Sequence, residues 1–181
     1  MEHRIRAAAL VVQGDSILLV KHQAPTTGVV WWVPPGGGLE GSESVYDCVR
    51  RETFEEAGVS VELGDIVYVR QFIDHELQRH HLELFLLAGS YSGAVTTENV
   101  IPNDADAEYI QEARFMFRDE MRGVTVYPEV LKDGFWEDLK RGFSTTTYLG
   151  IQWGGGVTGA SGGPVPAHRQ GTLTEAATNH G

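Results

Sequence analysis

The chain has 181 residues and a formal net charge of −11, which suits one domain with a sizeable core plus an appendage. The acidic balance argues against a nonspecific binder of nucleic-acid polymers, which would carry a basic footprint. The single cysteine, Cys48, excludes an intrachain disulfide, and no stretch is long and apolar enough to span a membrane.

Residues 5–12 are largely apolar and read as a buried strand, Gly14 and Asp15 as a turn, and residues 17–20 as the hairpin partner. After a loop at 23–29, Trp31, Trp32 and Val33 lead through Pro34 and Pro35 into Gly36, Gly37 and Gly38. Those glycines let the backbone turn sharply and approach a ligand closely. A helix is predicted over residues 44–57, with Ser44 and Asp47 as a capping pair and Gly58 in the left-handed position that ends many helices. Val45, Cys48, Val49, Phe54 and Ala57 make its packing face, with Cys48 as a small core residue.

Strands follow at 59–63 and 66–72, then a polar loop at 74–79 and a long strand at 81–87. Residues 89–107 are polar and turn-rich and read as a flexible loop near a site. Residues 113–117 form another strand. Leu131, Phe135 and Leu139 recur every four residues, which predicts an amphipathic helix over 128–140 opened by Pro128. From Gly154 onward the chain is rich in Gly, Thr, Ala and Ser. Such a segment buries too little surface to offset its ordering cost. The expected division is a domain over residues 1–150 and a loose tail over 151–181, with an edge strand at 148–153 as the alternative.

The chemistry concentrates on the predicted helix at 44–57. Residues three and four apart share a helical face, so Glu52 neighbours Glu55 and Glu56, and like charges at that spacing repel. A hard divalent cation with oxygen ligands turns that repulsion into attraction. Each part alone has a plainer explanation: an acidic helix face is usually solvated, and a run of glycines is usually a loop. Together they sit at fixed offsets. Gly37 is followed after five residues by Glu43, then after seven by Arg51-Glu52, with Glu55, Glu56, Gly58 and Val59 completing the run. This pattern resembles the signature of the Nudix hydrolases.

The resemblance implies an α/β Nudix fold, a mixed β-sheet sandwiched between α-helices, over roughly residues 5–150. It implies a Mg2+-dependent hydrolase, with Mn2+ as an alternative ion, that cleaves a diphosphate linkage in a nucleoside diphosphate derivative or nucleoside triphosphate. Glu52, Glu55, Glu56 and the backbone carbonyl of Gly36 or Gly37 are the implied metal ligands, with Glu43 in a supporting or water-mediated contact. Glu52 or Glu55 is the local candidate for the general base and Glu112 the distant one. Arg51 is expected to orient a glutamate through a bidentate pair. Gly36, Gly37, Gly38 and Trp31 are the substrate-binding candidates, although packing is the plainer role for Trp31, and Trp32 reads as structural. Glu83 reads as the polar face of a strand. His75, His80 and His81 do not follow a zinc spacing.

Two positions depart from the family pattern: Thr53 replaces an aliphatic residue and Pro34 a large apolar one. Neither removes a ligand. The expected partner is a small nucleotide, with neither nucleic-acid polymer nor membrane, and a homodimer is common in the family. The start MEHRIRAAALVVQ lacks the apolar run and cleavage site of a secretory signal, so a cytoplasmic setting is the default. Two other readings are a catalytically idle nucleotide-binding sensor of the same fold and an acidic helix holding a structural Ca2+.

Overall fold

Successive side chains of a strand point to opposite faces, and β1 (Glu2–Leu10) uses this to serve two cores. The computed structural model describes residues 1–102 and 107–154. Ala7 and Ala9 join Cys48, Val49 and Ala57 of helix α1 (Val45–Ala57) on one side. Leu10 joins Phe135 and Trp136 of helix α2 (Gly134–Arg141) on the other.

Five strands form the sheet between these cores. Their order is β5 (Gly36–Gly38), β1, β7 (Arg79–Ser92), β6 (Ser60–Asp74) and β9 (Thr147–Gly154). The β1–β7 and β6–β9 pairs are parallel and the β1–β5 and β6–β7 pairs antiparallel, so the sheet is mixed. A second sheet holds β2 (Val12–Gln13), β3 (Ser16–Gln23) and β4 (Val30–Val33), with β8 (Ile110–Phe117) on β3. This is the expected α/β arrangement.

Helix α1 begins and ends as its residues dictate. Ser44 Oγ accepts from the Asp47 backbone N–H at 3.2 Å while Asp47 Oδ2 accepts from Ser44 N–H, also at 3.2 Å. Gly58 has φ 73° and donates to the Phe54 carbonyl at 3.0 Å. Phe54, placed on the packing face by periodicity, is exposed.

Three expectations need correction. The strands expected at 59–63 and 66–72 are one strand, β6, whose pairing with β7 shifts register between Glu62 and Tyr68. The bulged segment contains Gly64 and Asp65, which look like a break in sequence but are absorbed by the ladder. The hairpin at Gly14 involves only Val12 and Gln13 opposite Ile17 and Ser16, because β1 leaves for the other sheet. The helix expected over 128–140 is split. Residues 129–132 make a 3₁₀ turn, Asp133 adopts φ −139° and ψ −63°, and α2 starts at Gly134. The split buries Leu131 and Phe135 together and lets the Trp136 indole donate to the Leu131 carbonyl at 2.8 Å.

The alternative for residues 148–153 is the observed one: β9 pairs in parallel with β6 and continues to Gly154. The rest of the expected tail lies outside the described residues, as do positions 103–106. Among the described residues no helix is long and apolar enough to cross a membrane.

Candidate active site

The glycine run does not end as a loop. It forms β5, an edge strand on β1 with Gly37 opposite Ala7 and Gly36 opposite Ala8. The absence of side chains is required here. A Cβ on Gly37 would lie 2.0 Å from Glu52 Oε1, and one on Gly36 would lie 2.3 Å from the Ala7 carbonyl oxygen. Helix α1 therefore reaches the sheet edge with its glutamates pressed against bare backbone.

Arg51 organises the cluster. Its Nε donates to Glu43 Oε1 at 2.6 Å and its Nη2 to Glu43 Oε2 at 3.0 Å, a bidentate pair. Its Nη1 donates to Glu52 at 2.9 Å and to Glu55 at 3.2 Å, and Nη2 also reaches the Gly38 carbonyl at 3.2 Å. The expected pair between Arg51 and a glutamate is present, and the partner that takes both bonds is Glu43. Glu56 is buried, and its Oε2 accepts from the Gly36 backbone N–H at 2.9 Å. The Gly36 carbonyl accepts from Arg6 Nη2 at 3.1 Å.

The environment separates the carboxyl groups. Burial pushes Glu52 up to about 7, against the opposing pull of Arg51 and Arg6. The Arg51 hydrogen bond pulls Glu43 below its ordinary range. Burial pushes the Cys48 thiol up to about 12, which fits an inert core residue. Thr53, fully buried, donates its hydroxyl to the Val49 carbonyl at 2.6 Å, so the departure from an aliphatic residue leaves no unpaired polar group.

Glu52, Glu55 and Glu56 line one cavity together with Val100, Ile101, Ala107 and Ile110. The loop segment expected near a site does border it. Val100, Ile101 and Ala107 had no sequence signal beyond their place in the loop, and Ile110, the first residue of β8, had none. Glu112 is exposed, pairs with Arg114 at 3.4 Å and is not among the residues lining the cavity. Trp31 is half-buried, edge-on to His22 at 5.6 Å and tilted against Tyr109 at 6.3 Å, also away from that lining. Trp32 is buried beneath the Arg114 guanidinium. Glu83 pairs with Arg70 within the sheet.

Among the described residues, no group of three His, Cys, Asp or Glu side chains is drawn together as a ready ligand set. The donors still suit a hard divalent cation, because the cavity wall offers three carboxylates and no thiolate or imidazole. A cation there would also offset the burial that keeps Glu52 partly protonated near neutral pH.

A family model of the NUDIX domain matches residues 2–134. The chain is 36% identical over 103 residues to YvcI of Bacillus subtilis (strain 168), an uncharacterized Nudix hydrolase, covering 55% of this chain and 63% of that one. It is 34% identical over 85 residues to mouse diphosphoinositol polyphosphate phosphohydrolase 3-alpha, covering 45% of this chain and 49% of the relative. It thus spans about half to two thirds of the length of these relatives. Its structure is similar to that of a MutT NUDIX hydrolase from Burkholderia pseudomallei, with a TM-score of 0.54 and 27% identity over 66% of this chain and 86% of that one.

Proposed function

This chain belongs to the Nudix family, and from that premise we propose that it is a hydrolase that uses a divalent cation, Mg2+ or Mn2+, to cleave a diphosphate linkage. The substrate class we assign is a nucleoside diphosphate derivative or a nucleoside triphosphate. The observation that carries this reading is the joint presence of Glu52, Glu55 and Glu56 on one cavity wall, with Arg51 tying two of them to Glu43.

Glu52, Glu55 and Glu56 would hold the cation. When bound, it neutralises charge on the diphosphate and makes water a better nucleophile. Arg51 keeps the carboxylates of Glu52 and Glu55 side by side despite their repulsion. Glu52 is wedged against the Gly37 backbone and has little freedom to move. Glu55 is the more accessible of these two, 18% against 12% for the side chain. We therefore assign the general base to Glu55, which takes the proton of the attacking water. Val100, Ile101, Ala107 and Ile110 supply the apolar part of the cavity wall.

The test is product analysis on a panel of nucleotides and other diphosphates, with and without Mg2+ or Mn2+. One relative's name points to diphosphoinositol polyphosphate, so phosphate-rich diphosphates that are not nucleotides belong in the panel. Metal-dependent cleavage of at least one member is expected. Tight nucleotide binding with no cleavage would make the protein a sensor. A metal-induced rise in melting temperature with neither binding nor cleavage would make the ion structural.

A further inference from the structure

The face of the five-stranded sheet that carries Ala7 and Ala9 is covered unevenly. Ala7, packed with α1, is 1% exposed, but Ile5, two residues earlier on the same side of β1, is 47% exposed. Strand register extends the bare area across the sheet. Ile5 stands opposite Leu82, Leu82 opposite Gln71, and Gln71 opposite Ile151. The next row on the same face runs from His3 through His80 and Ile73 to Trp153. Ile5, Leu82, Tyr148, Ile151 and Trp153 are all exposed, Trp153 at 60%.

Single exposed apolar residues need no explanation, whereas a contiguous apolar patch marks an interaction site. This patch has the chemistry of an interface core, which is poor in charge and rich in Trp and Tyr. Charged residues make up 22% of the chain, yet neither row contains one. Its polar groups already satisfy one another. Gln71 Nε2 meets His80 Nε2 at 2.9 Å, the Tyr148 hydroxyl donates to Gln71 Oε1, and the His75 ring stacks on Trp153 at 5.4 Å. Covering the face therefore orphans few polar atoms. The outer edge of β9 carries neither a charge nor a proline that would keep another chain away. This strand also lies beyond the matched NUDIX domain, which ends at residue 134.

The composition selects among occupants. Residues 155–181 follow directly from Gly154, but contribute only Val157, Val165 and Leu173 as larger apolar side chains. These are too few to match two aromatic and three aliphatic residues. A partner recognised by charge finds none here. A second copy fits, because a two-fold contact presents the same patch twice. The lack of charge lets two chains of net charge −11 meet at this face without like charges in contact. We propose that the face binds a second copy of this chain about a two-fold axis, burying Ile5, Leu82, Ile151 and Trp153 of each protomer against the other. The acidic cavity stays open, since β5 and β9 are opposite edges of the sheet. This inference does not depend on the hydrolase reading.

The test is sedimentation equilibrium of the full-length protein over a range of concentrations. Wild type is expected to dimerise with a Kd below about 100 µM. Ile151→Lys and Leu82→Lys each set an unpaired charge from both protomers into the contact, and each should raise that Kd about tenfold or more. An unchanged far-UV circular dichroism spectrum shows that the variants fold. A dimer that both substitutions leave intact overturns the proposal, because its interface lies elsewhere. A wild type that stays monomeric at the highest concentration overturns it too. Acrylamide quenching of Trp153, read as the difference from Trp153→Phe, then names the occupant: a shielded indole assigns the face to residues 155–181, and an open one leaves it to a different protein.

Discussion

The acidic corner of α1 and the uncharged face beside β9 lie toward opposite edges of the same sheet, and they are built in opposite ways. Glu52, Glu55 and Glu56 come from five consecutive residues, and a single helix turn brings them together. Ile5, Leu82, Gln71 and Ile151 come from four strands, and only the register of β1 on β7, of β7 on β6 and of β6 on β9 makes them neighbours. The first cluster depends on local geometry. The second depends on the whole sheet, so it exists only once all four strands are paired.

The contrast can be broken most forcefully at the helix. Glu56→Gln keeps an oxygen that can accept from the Gly36 N–H but removes a charge, so turnover with Mg2+ should fall by about two orders of magnitude or more. Melting should move by only a few degrees. Near-normal kcat would remove Glu56 from the proposed ligand set.

Gly37→Ala tests the edge strand itself. Its methyl would meet Glu52 Oε1 at 2.0 Å, so the carboxylate or the strand must shift. A drop of roughly tenfold or more in turnover is expected, with a stability loss of about 1–3 kcal/mol by urea denaturation. Wild-type behaviour in both assays would mean that the close contact is not maintained.

A smaller effect concerns pH. The folded Glu52 carboxyl titrates near 7, raised from 4.5 by burial. Its contribution to stability is therefore complete below the unfolded value and is lost as pH rises through the folded one. In metal-free protein, the melting temperature should decline by a few degrees between about pH 4.5 and 7, and Glu52→Gln should flatten that decline. Added Mg2+ should restore stability at the upper end, where the carboxylate is charged. A wild-type profile identical to that of Glu52→Gln would show that Glu52 is not so desolvated.

The least effect is expected at Glu112, which is exposed beside Arg114. Glu112→Gln should change kcat by less than about threefold. A loss of a hundredfold or more would transfer the general base from Glu55 to this strand.

Much of the helix corner was legible without coordinates. The Ser44–Asp47 box, the Gly58 cap, the adjacency of three glutamates and the reach of Arg51 all depend on residues within one or two turns, where backbone geometry converts spacing into position. The cavity wall was less legible. Val100, Ile101 and Ile110 are ordinary apolar residues, and nothing local aims them at a carboxylate. Trp31 was a substrate-binding candidate with packing as its plainer role, and it packs on His22 and Tyr109. The split at Asp133 was hidden because Leu131 and Phe135 keep a helical spacing across a residue that leaves the helix.

The amino-acid sequence alone determined the acidic helix and its caps, since these follow from hydrogen bonds and repeats over a few residues, whereas the need for bare backbone at Gly36 and Gly37 comes from the distant Ala7 carbonyl and Glu52. Tertiary structure decided which strands become neighbours, and with that the company of Ile5, Leu82 and Ile151. A strand's side chains alternate regardless of its partner, whereas the partner and its register are chosen by burial across the two cores.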